Sequence, residues 1–218
     1  MALTEYEDPY PNRKKKSKLW LILLLVIGIP VGLILLIVTL GVLFYATAKD
    51  LAVTDADRAV VVTAQHRTNW FDGLDPTAGT ETWAKKRYLD GSIDVDYSYD
   101  LEPESEEGTY VWISCTVTVD KKASDARITY GAGSAGSSIG LGITGVKRRE
   151  RNDLFSWGEK SKCAILVGEE DTPVGNHFVC LAGTRTFELV VVGLYFDEPG
   201  SMAEVLQPIL SRLADYRP

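Results

Sequence analysis

The sequence lacks any charged residue between Leu19 and Tyr45, a run of 27 residues. Apolar runs of about 18 residues or more are typical of transmembrane helices. At about 1.5 Å per residue, a helix over this run is roughly 40 Å long, which exceeds a hydrocarbon core of about 30 Å. The sequence therefore predicts one membrane-spanning helix over residues 19–45 that contacts the lipid bilayer. Pro30 is expected to bend it, because proline removes a backbone hydrogen bond.

Positive charge is concentrated on one side of this run. The five basic residues that precede it are Arg13, Lys14, Lys15, Lys16 and Lys18, whereas Lys49 and Arg58 follow it among aspartates. Because Lys and Arg are retained on the cytoplasmic side, we expect residues 1–18 to be a cytoplasmic tail. Residues 46–218 then form an extracytoplasmic domain of a single-pass cell-membrane protein.

The main alternative is a cleaved signal peptide. Ala46-Thr47-Ala48 resembles the small-residue motif that signal peptidase recognises, with cleavage after Ala48. However, the apolar core of a cleaved signal peptide is only about 7–15 residues long. The length of the run favours an uncleaved signal-anchor.

Groups that commonly perform catalysis are scarce in this chain. There are two histidines, His66 and His177, and the sequence contains no P-loop, no serine nucleophile elbow and no metal-ligand spacing. His177 could pair with a cysteine thiolate, but we interpret it as an ordinary histidine at the start of a strand. The sequence predicts no catalytic, cofactor-binding or metal-binding residue, and no enzymatic activity.

The chain is acidic, with a formal net charge of −7 at pH 7. Because the tail is net positive, the outer domain is more acidic than the whole chain. Such a domain is unsuited to nucleic acid, whose phosphates attract basic surfaces. The cluster at residues 147–151 is the exception, and we interpret it as a solvated loop or a charged edge strand.

The outer domain shows the patterns of an antiparallel sheet with helices at both ends. Residues 92–102 alternate strictly between polar and apolar side chains, and residues 109–119 repeat the alternation after a turn, which predicts a hairpin. Further expected elements are strands at 162–167, 176–182 and 186–196 and helices at 54–66, 124–130 and 199–216. The predicted fold class is therefore α+β, with one antiparallel sheet and packed N- and C-terminal helices.

Residues 131–136, Gly-Ala-Gly-Ser-Ala-Gly, match the G-x-G-x-x-G pattern of dinucleotide-binding loops. That fingerprint requires a strand before the glycines and a helix after them. Here a predicted helix precedes them and more glycines follow. We therefore expect a flexible connector and no bound cofactor.

Three segments carry a resemblance to known domains. They are residues 157–161 (WGEKS), 173–178 (PVGNHF) and 192–197 (VGLYFD), followed by the closing helix. They resemble uncharacterised bacterial membrane-anchored and secreted domains, whose layout is similar to the PsbP-like superfamily. The resemblance implies a non-catalytic role in binding or assembly and transfers no functional residue.

Three cysteines lie in the predicted outer domain, where disulfides can form. If residues 162–167 and 176–182 form a hairpin about residues 171 and 172, Cys163 falls opposite Cys180, at a spacing near that of a disulfide. Cys115 lies on the apolar face of its strand and is expected to be a buried free thiol.

The predicted hairpin places Tyr110 and Trp112 on the same face as several carboxylates. Aromatic side chains are enriched at binding hot spots, so these two residues are the candidate contacts to a partner protein. The alternative is that a helix covers this face and buries Trp112. The sequence as a whole favours a membrane-tethered binding or assembly module, such as an accessory subunit of a membrane complex. A ligand-sensing domain and, less favoured, an extracytoplasmic enzyme are the alternatives.

Overall fold

The computed structural model describes residues 24–67, 78–102, 110–143 and 145–218. The predicted tail at 1–18 and the turn at 103–108 lie outside these residues. The chain divides into two compact units, Met1–Ala46 and Thr47–Pro218.

The described part of the first unit, residues 24–46, contains one long helix, α1 (Ile29–Ala46), which a π-helical turn at Leu24–Gly28 precedes. The helical stretch Leu25–Ala46 has a mean hydropathy of 2.8 and no buried residue, so it is long and apolar enough to cross a membrane. Pro30 is the second residue of α1 and follows the π-helical turn directly, so its missing N–H interrupts the backbone hydrogen bonds of a continuous helical stretch. The irregularity of this helix is thus the π-helical turn just before the proline.

The second unit is an eight-stranded antiparallel sheet with further helices, which confirms the predicted α+β class. The strands are β1 (Lys49–Asp50), β2 (Thr80–Arg87), β3 (Ile93–Leu101), β4 (Val111–Val119), β5 (Lys147–Glu150), β6 (Lys160–Val167), β7 (Pro173–Ala182) and β8 (Arg185–Val192). Their order across the sheet is β1-β2-β3-β4-β8-β7-β6-β5. The helices are α2 (Asp55–Arg58), α3 (Ala64–Arg67), α4 (Ala123–Ile143) and α5 (Pro199–Leu213).

The hairpin of β3 and β4 has the predicted register. Odd-numbered residues lie opposite odd-numbered ones, as with Tyr97 opposite Cys115, and Asp100 lies opposite Trp112. Because strand side chains alternate between faces, the odd-numbered apolar residues of this hairpin share one side, and Trp112 is on the other. β6, β7 and β8 form the predicted meander, and β8 pairs with β4 to join the two halves.

One face of the sheet forms the main hydrophobic core. Helix α5 covers it with side chains at helical spacing, including Leu206, Ile209, Leu210 and Leu213, all buried as predicted. A proline at position 208 is tolerated in the helix on its exposed side. The segment between α2 and α3 covers another part of this face.

The predicted helix at 54–66 is wrong in its middle. Thr54 caps α2 through a capping box with Asp57, as its sequence suggests. The helix ends after one turn, because residues 60–62 are three consecutive valines that are all buried. A helix would expose at least one of them, and β-branched residues favour extended backbone.

The predicted connector at 131–136 is also wrong, since these residues lie inside α4. Ala126 and Tyr130 pack on Val179 and Leu181 and form a second, smaller core on the opposite face of the sheet. Small side chains then allow a close approach: a Cβ at Gly133 would lie 2.9 Å from Oε2 of Glu188. Glycine composition suggested a loop, but tertiary packing outweighs helix propensity here.

Candidate functional site

Among the residues that the structure describes, the second face of the sheet is only partly covered. Helix α4 packs against β7 and β8, where Ala126 and Tyr130 are buried. On β2, β3 and β4 the same face carries short polar side chains and carboxylates: Thr80, Thr82, Asp94, Asp96, Ser98, Asp100, Ser114, Thr116 and Thr118. We call this part the open face.

The two predicted partner-binding residues lie at one end of the open face. Tyr110 is 42% exposed, and Trp112 is half-buried and belongs to neither hydrophobic cluster among the described residues. Trp112 lies opposite Asp100 in the register of β3 and β4. Partial burial raises the pKa of the Tyr110 phenol, and the neighbouring carboxylates of Asp100 and Glu102 raise it further. The structure therefore brings both aromatics together with carboxylates.

A groove runs beside these aromatics. It is lined by Thr80, Thr82, Ser98, Asp100 and Glu102, together with Ala78, and encloses about 480 Å³. The hydroxyls of Thr82 and Ser98 lie 2.5 Å apart. Hydroxyl and carboxylate oxygens can all accept hydrogen bonds from a cationic side chain.

Two carboxylates at the other end of the open face are half-buried. Burial raises the pKa of Asp94, an effect that Asp96 reinforces and hydrogen bonds from Thr118 and Tyr88 oppose. Burial likewise raises the pKa of Asp96, which accepts a hydrogen bond of 2.8 Å from the Thr116 hydroxyl. Of the three aspartates on the open face, only Asp100 is exposed.

The predicted opposition of Cys163 and Cys180 is wrong. Cys163 lies opposite Phe178, and Cys180 lies opposite Ser161. The register differs because the connection forms a 3-10 turn at Glu169–Asp171 and a bulge at Leu166 and Val167. The two cysteines are thus diagonal neighbours, about 7–8 Å apart at Cα and too far for a bridge. Cys163 and Cys180 are free and buried, and so is Cys115, as predicted.

The two histidines lie on opposite sides of the sheet. His177 is not at a strand end but inside β7, between β6 and β8, on the face that α4 covers. It is fully buried, and its Nε2 lies 3.0 Å from Oε1 of Glu188. Cys163 and Cys180 point into the main core on the opposite face, so neither pairs with His177.

His66 lines a cleft of about 320 Å³ on the core side of β2. Its Nδ1 accepts a hydrogen bond of 3.1 Å from the Thr63 amide. Burial lowers the pKa of His66, and the positive charge of Arg212 lowers it further. The imidazole is therefore neutral near pH 7 and carries its proton on Nε2.

Sequence reasoning missed the other residues that line this cleft. Arg58 is on α2, Glu81 and Trp83 are on β2, and Arg212 is on α5. The guanidinium of Arg58 stacks 4.5 Å from the centre of the Trp83 ring. Most of β2 carried no alternating pattern in the sequence, so no local signal placed these residues together.

No protein-family model, curated protein or solved structure matches this chain. The resemblance to PsbP-like domains therefore stays a prediction.

Proposed function

We propose that this chain is a membrane-tethered, extracytoplasmic binding module, and that its open face docks a basic segment of a partner membrane protein. The observation that carries this proposal is the convergence of Tyr110 and Trp112 with Asp100 and Glu102 beside a groove. Such a module would serve as an accessory subunit of a membrane complex.

The chemistry of the open face favours a cationic partner. Its carboxylates include Asp96, Asp100 and Glu102. Among the described positions of β2, β3 and β4 on this face, Lys86 is the one basic residue. A Lys or Arg side chain of the partner would receive charge-assisted hydrogen bonds in the groove. Tyr110 and Trp112 would pack against its hydrocarbon portion, as aromatic residues do at binding hot spots.

The alternative, in which Trp112 serves only the core, has less support. Trp112 points away from the main core, and it is not among the buried residues of the cluster that α4 forms with Val179 and Leu181 of β7. Tyr110 beside it has an exposed ring. Large aromatics on an open, acidic sheet face are typical of an interaction surface.

Trp112→Ala in the full-length protein tests this function. We expect the melting temperature to stay within about 2 °C of wild type, because Trp112 belongs to neither hydrophobic cluster among the described residues. Proteins that co-purify with wild type in mild detergent should be lost with Trp112→Ala and with Asp100→Asn. They should be retained with Glu204→Gln, which removes an exposed carboxylate of α5. A Tm lowered by roughly 10 °C, as for a core tryptophan costing about 3–5 kcal/mol, would refute the proposal.

The proposed topology has its own test, because the native thiols are buried. A cysteine introduced at Leu89, which is 72% exposed, adds the one reactive thiol to the described surface. With an extracytoplasmic domain, Leu89→Cys in intact cells is labelled by a membrane-impermeant maleimide and wild type is not. If Leu89→Cys is labelled only after the membrane is permeabilised, the domain is cytoplasmic and the proposed orientation is wrong.

A further inference from the structure

The cleft at His66 is separate from the open face. Glu81 and Trp83 occupy odd positions of β2 and lie opposite Tyr99 and Tyr97, which belong to the main core. The open face carries the even positions. The cleft is thus on the other side of the sheet, where α2, the turn before α3 and the end of α5 meet β2.

The charges in the cleft balance. Arg58 and Arg212 provide two guanidinium groups, and Asp55 and Glu81 provide two carboxylates. Among the described residues, none of these four groups forms an ion pair. Opposite charges that line one cleft without pairing are available to a ligand that carries both signs. A phosphate dianion would meet as much negative as positive charge and gain no net attraction.

Hydrogen-bond donors and acceptors also occupy the cleft together. The neutral His66 presents Nε2–H, and the Trp83 indole nitrogen is buried without a partner among the described residues. Glu81 is held by a hydrogen bond of 3.0 Å from the Tyr97 hydroxyl, which in turn accepts one of 2.7 Å from the Ala64 amide. This chain fixes the Glu81 carboxylate relative to the backbone.

We propose that this cleft binds a small zwitterion that carries a carboxylate and a protonated amine, of the size of a free amino acid or a dipeptide. Arg212 binds the carboxylate through two N–H groups of its planar guanidinium, and His66 Nε2–H is a further donor. Asp55 and Glu81 bind the ammonium. The Trp83 ring, with Arg58 stacked on it, forms the wall between the two ends. The volume of about 320 Å³ is within the range of small-molecule sites.

The probe is L-alanyl-L-alanine, titrated by calorimetry into the full-length protein in detergent. Its comparisons are N-acetyl-alanyl-alanine, which has no amine, alanyl-alanine amide, which has no carboxylate, and inorganic phosphate. We expect the free dipeptide to bind and each blocked form to bind about tenfold more weakly or worse, the loss of one charged hydrogen bond. Phosphate should not compete. Equal binding of a blocked form, tighter binding of phosphate, or no binding of the dipeptide would overturn the proposal.

Variants then assign the two ends. Arg212→Gln should weaken the free dipeptide about tenfold and leave alanyl-alanine amide unchanged, since the amide lacks the group that Arg212 binds. Glu81→Gln should weaken binding of the free dipeptide and leave binding of its N-acetyl form unchanged, since that form lacks the amine that Glu81 binds. Arg127→Gln removes an exposed arginine of α4 outside the cleft and should change neither. Dipeptide binding unaffected by Arg212→Gln would contradict the assignment, and an unchanged Tm verifies that the variant is folded.

Discussion

The Lys85 ammonium lies 2.9 Å from Oδ1 of Asp57, and both side chains are buried. The Tyr216 hydroxyl donates to the same Oδ1, and the amide and hydroxyl of Thr54 donate to Oδ2 over 2.6 and 2.8 Å. Burial alone would raise the pKa of Asp57, but the hydrogen bonds from Tyr216, Thr54 and Lys85 outweigh it and lower the pKa. This network joins α2 and its N-cap to β2 and to Tyr216, which follows α5.

Lys85→Met should destabilise the domain strongly, because it leaves the Asp57 carboxylate buried without its cation. Breaking a buried pair costs about 3–5 kcal/mol, which corresponds to a loss of roughly 10 °C in Tm. The double variant Asp57→Asn with Lys85→Met should recover much of the loss, since it removes both charges. Arg151→Gln, which breaks an exposed pair with Asp153, should leave Tm unchanged. An unchanged Tm for Lys85→Met would show that the network is not structural.

Asp94→Asn should stabilise the protein at neutral pH. Because the pKa of Asp94 is raised in the folded state, ionisation above that pKa opposes folding. As pH falls through the folded pKa towards the unfolded value of 3.8, wild type regains this stability. We therefore expect Asp94→Asn to raise Tm by about 2–4 °C at pH 7, with the gain shrinking at pH 4. Melting curves at both pH values measure this, with Glu204→Gln as the exposed control. A gain that grows on acidification would give the opposite sign and refute the assignment.

All three cysteines should resist alkylation in the folded protein. Burial raises the pKa of the Cys115 and Cys163 thiols to about 12, and it raises that of Cys180 as well. Thiols with such pKa values contain almost no reactive thiolate at pH 8. Intact mass should show no adduct under native conditions and three adducts after denaturation without reductant. A single adduct after denaturation would demonstrate a disulfide in the remaining pair.

Two neighbouring glycines of α4 should respond differently to alanine. Nothing lies within 4 Å of a Cβ at Gly131, so Gly131→Ala should stabilise the helix by about 0.5–1 kcal/mol. At Gly133 the Cβ meets Glu188, which holds His177, so this gain should be lost or reversed. Chemical denaturation of both variants measures the difference. Equal stabilisation by the two substitutions would mean that α4 is not packed this closely on β8.

The sequence predicts the parts of this fold that have strict local periodicity. The strands β3 and β4 and the buried stripe of α5 follow from alternation and helical spacing alone. β2 (TETWAKKR) was missed because its core side carries charged residues where a strand usually has apolar ones. Lys85 is buried there against Asp57, and Glu81 is exposed at the end of the strand. α4 was misjudged because glycine has poor helix propensity, and only contact with the sheet outweighs it.

The candidate sites divide in the same way. The proximity of Trp112 to Asp100 follows from hairpin register, which local alternation sets. The diagonal placement of Cys163 and Cys180 depends on a bulge and on Glu170 and Asp171 with positive φ, which no periodic pattern encodes. The cleft at His66 joins residues from α2, β2 and α5 that are far apart in sequence. Such long-range convergence is invisible without the tertiary structure.

Photocross-linking from the open face tests the central claim most directly. A photoreactive amino acid is placed at Tyr110 in the full-length chain in its own membrane, and a matched one at Ile128, an exposed residue of α4. We predict a discrete adduct from position 110 and none from position 128. Asp100→Lys should abolish that adduct, because it reverses the charge that attracts a basic partner. Equal adducts from both positions, or an adduct from position 110 that survives Asp100→Lys, would contradict the account.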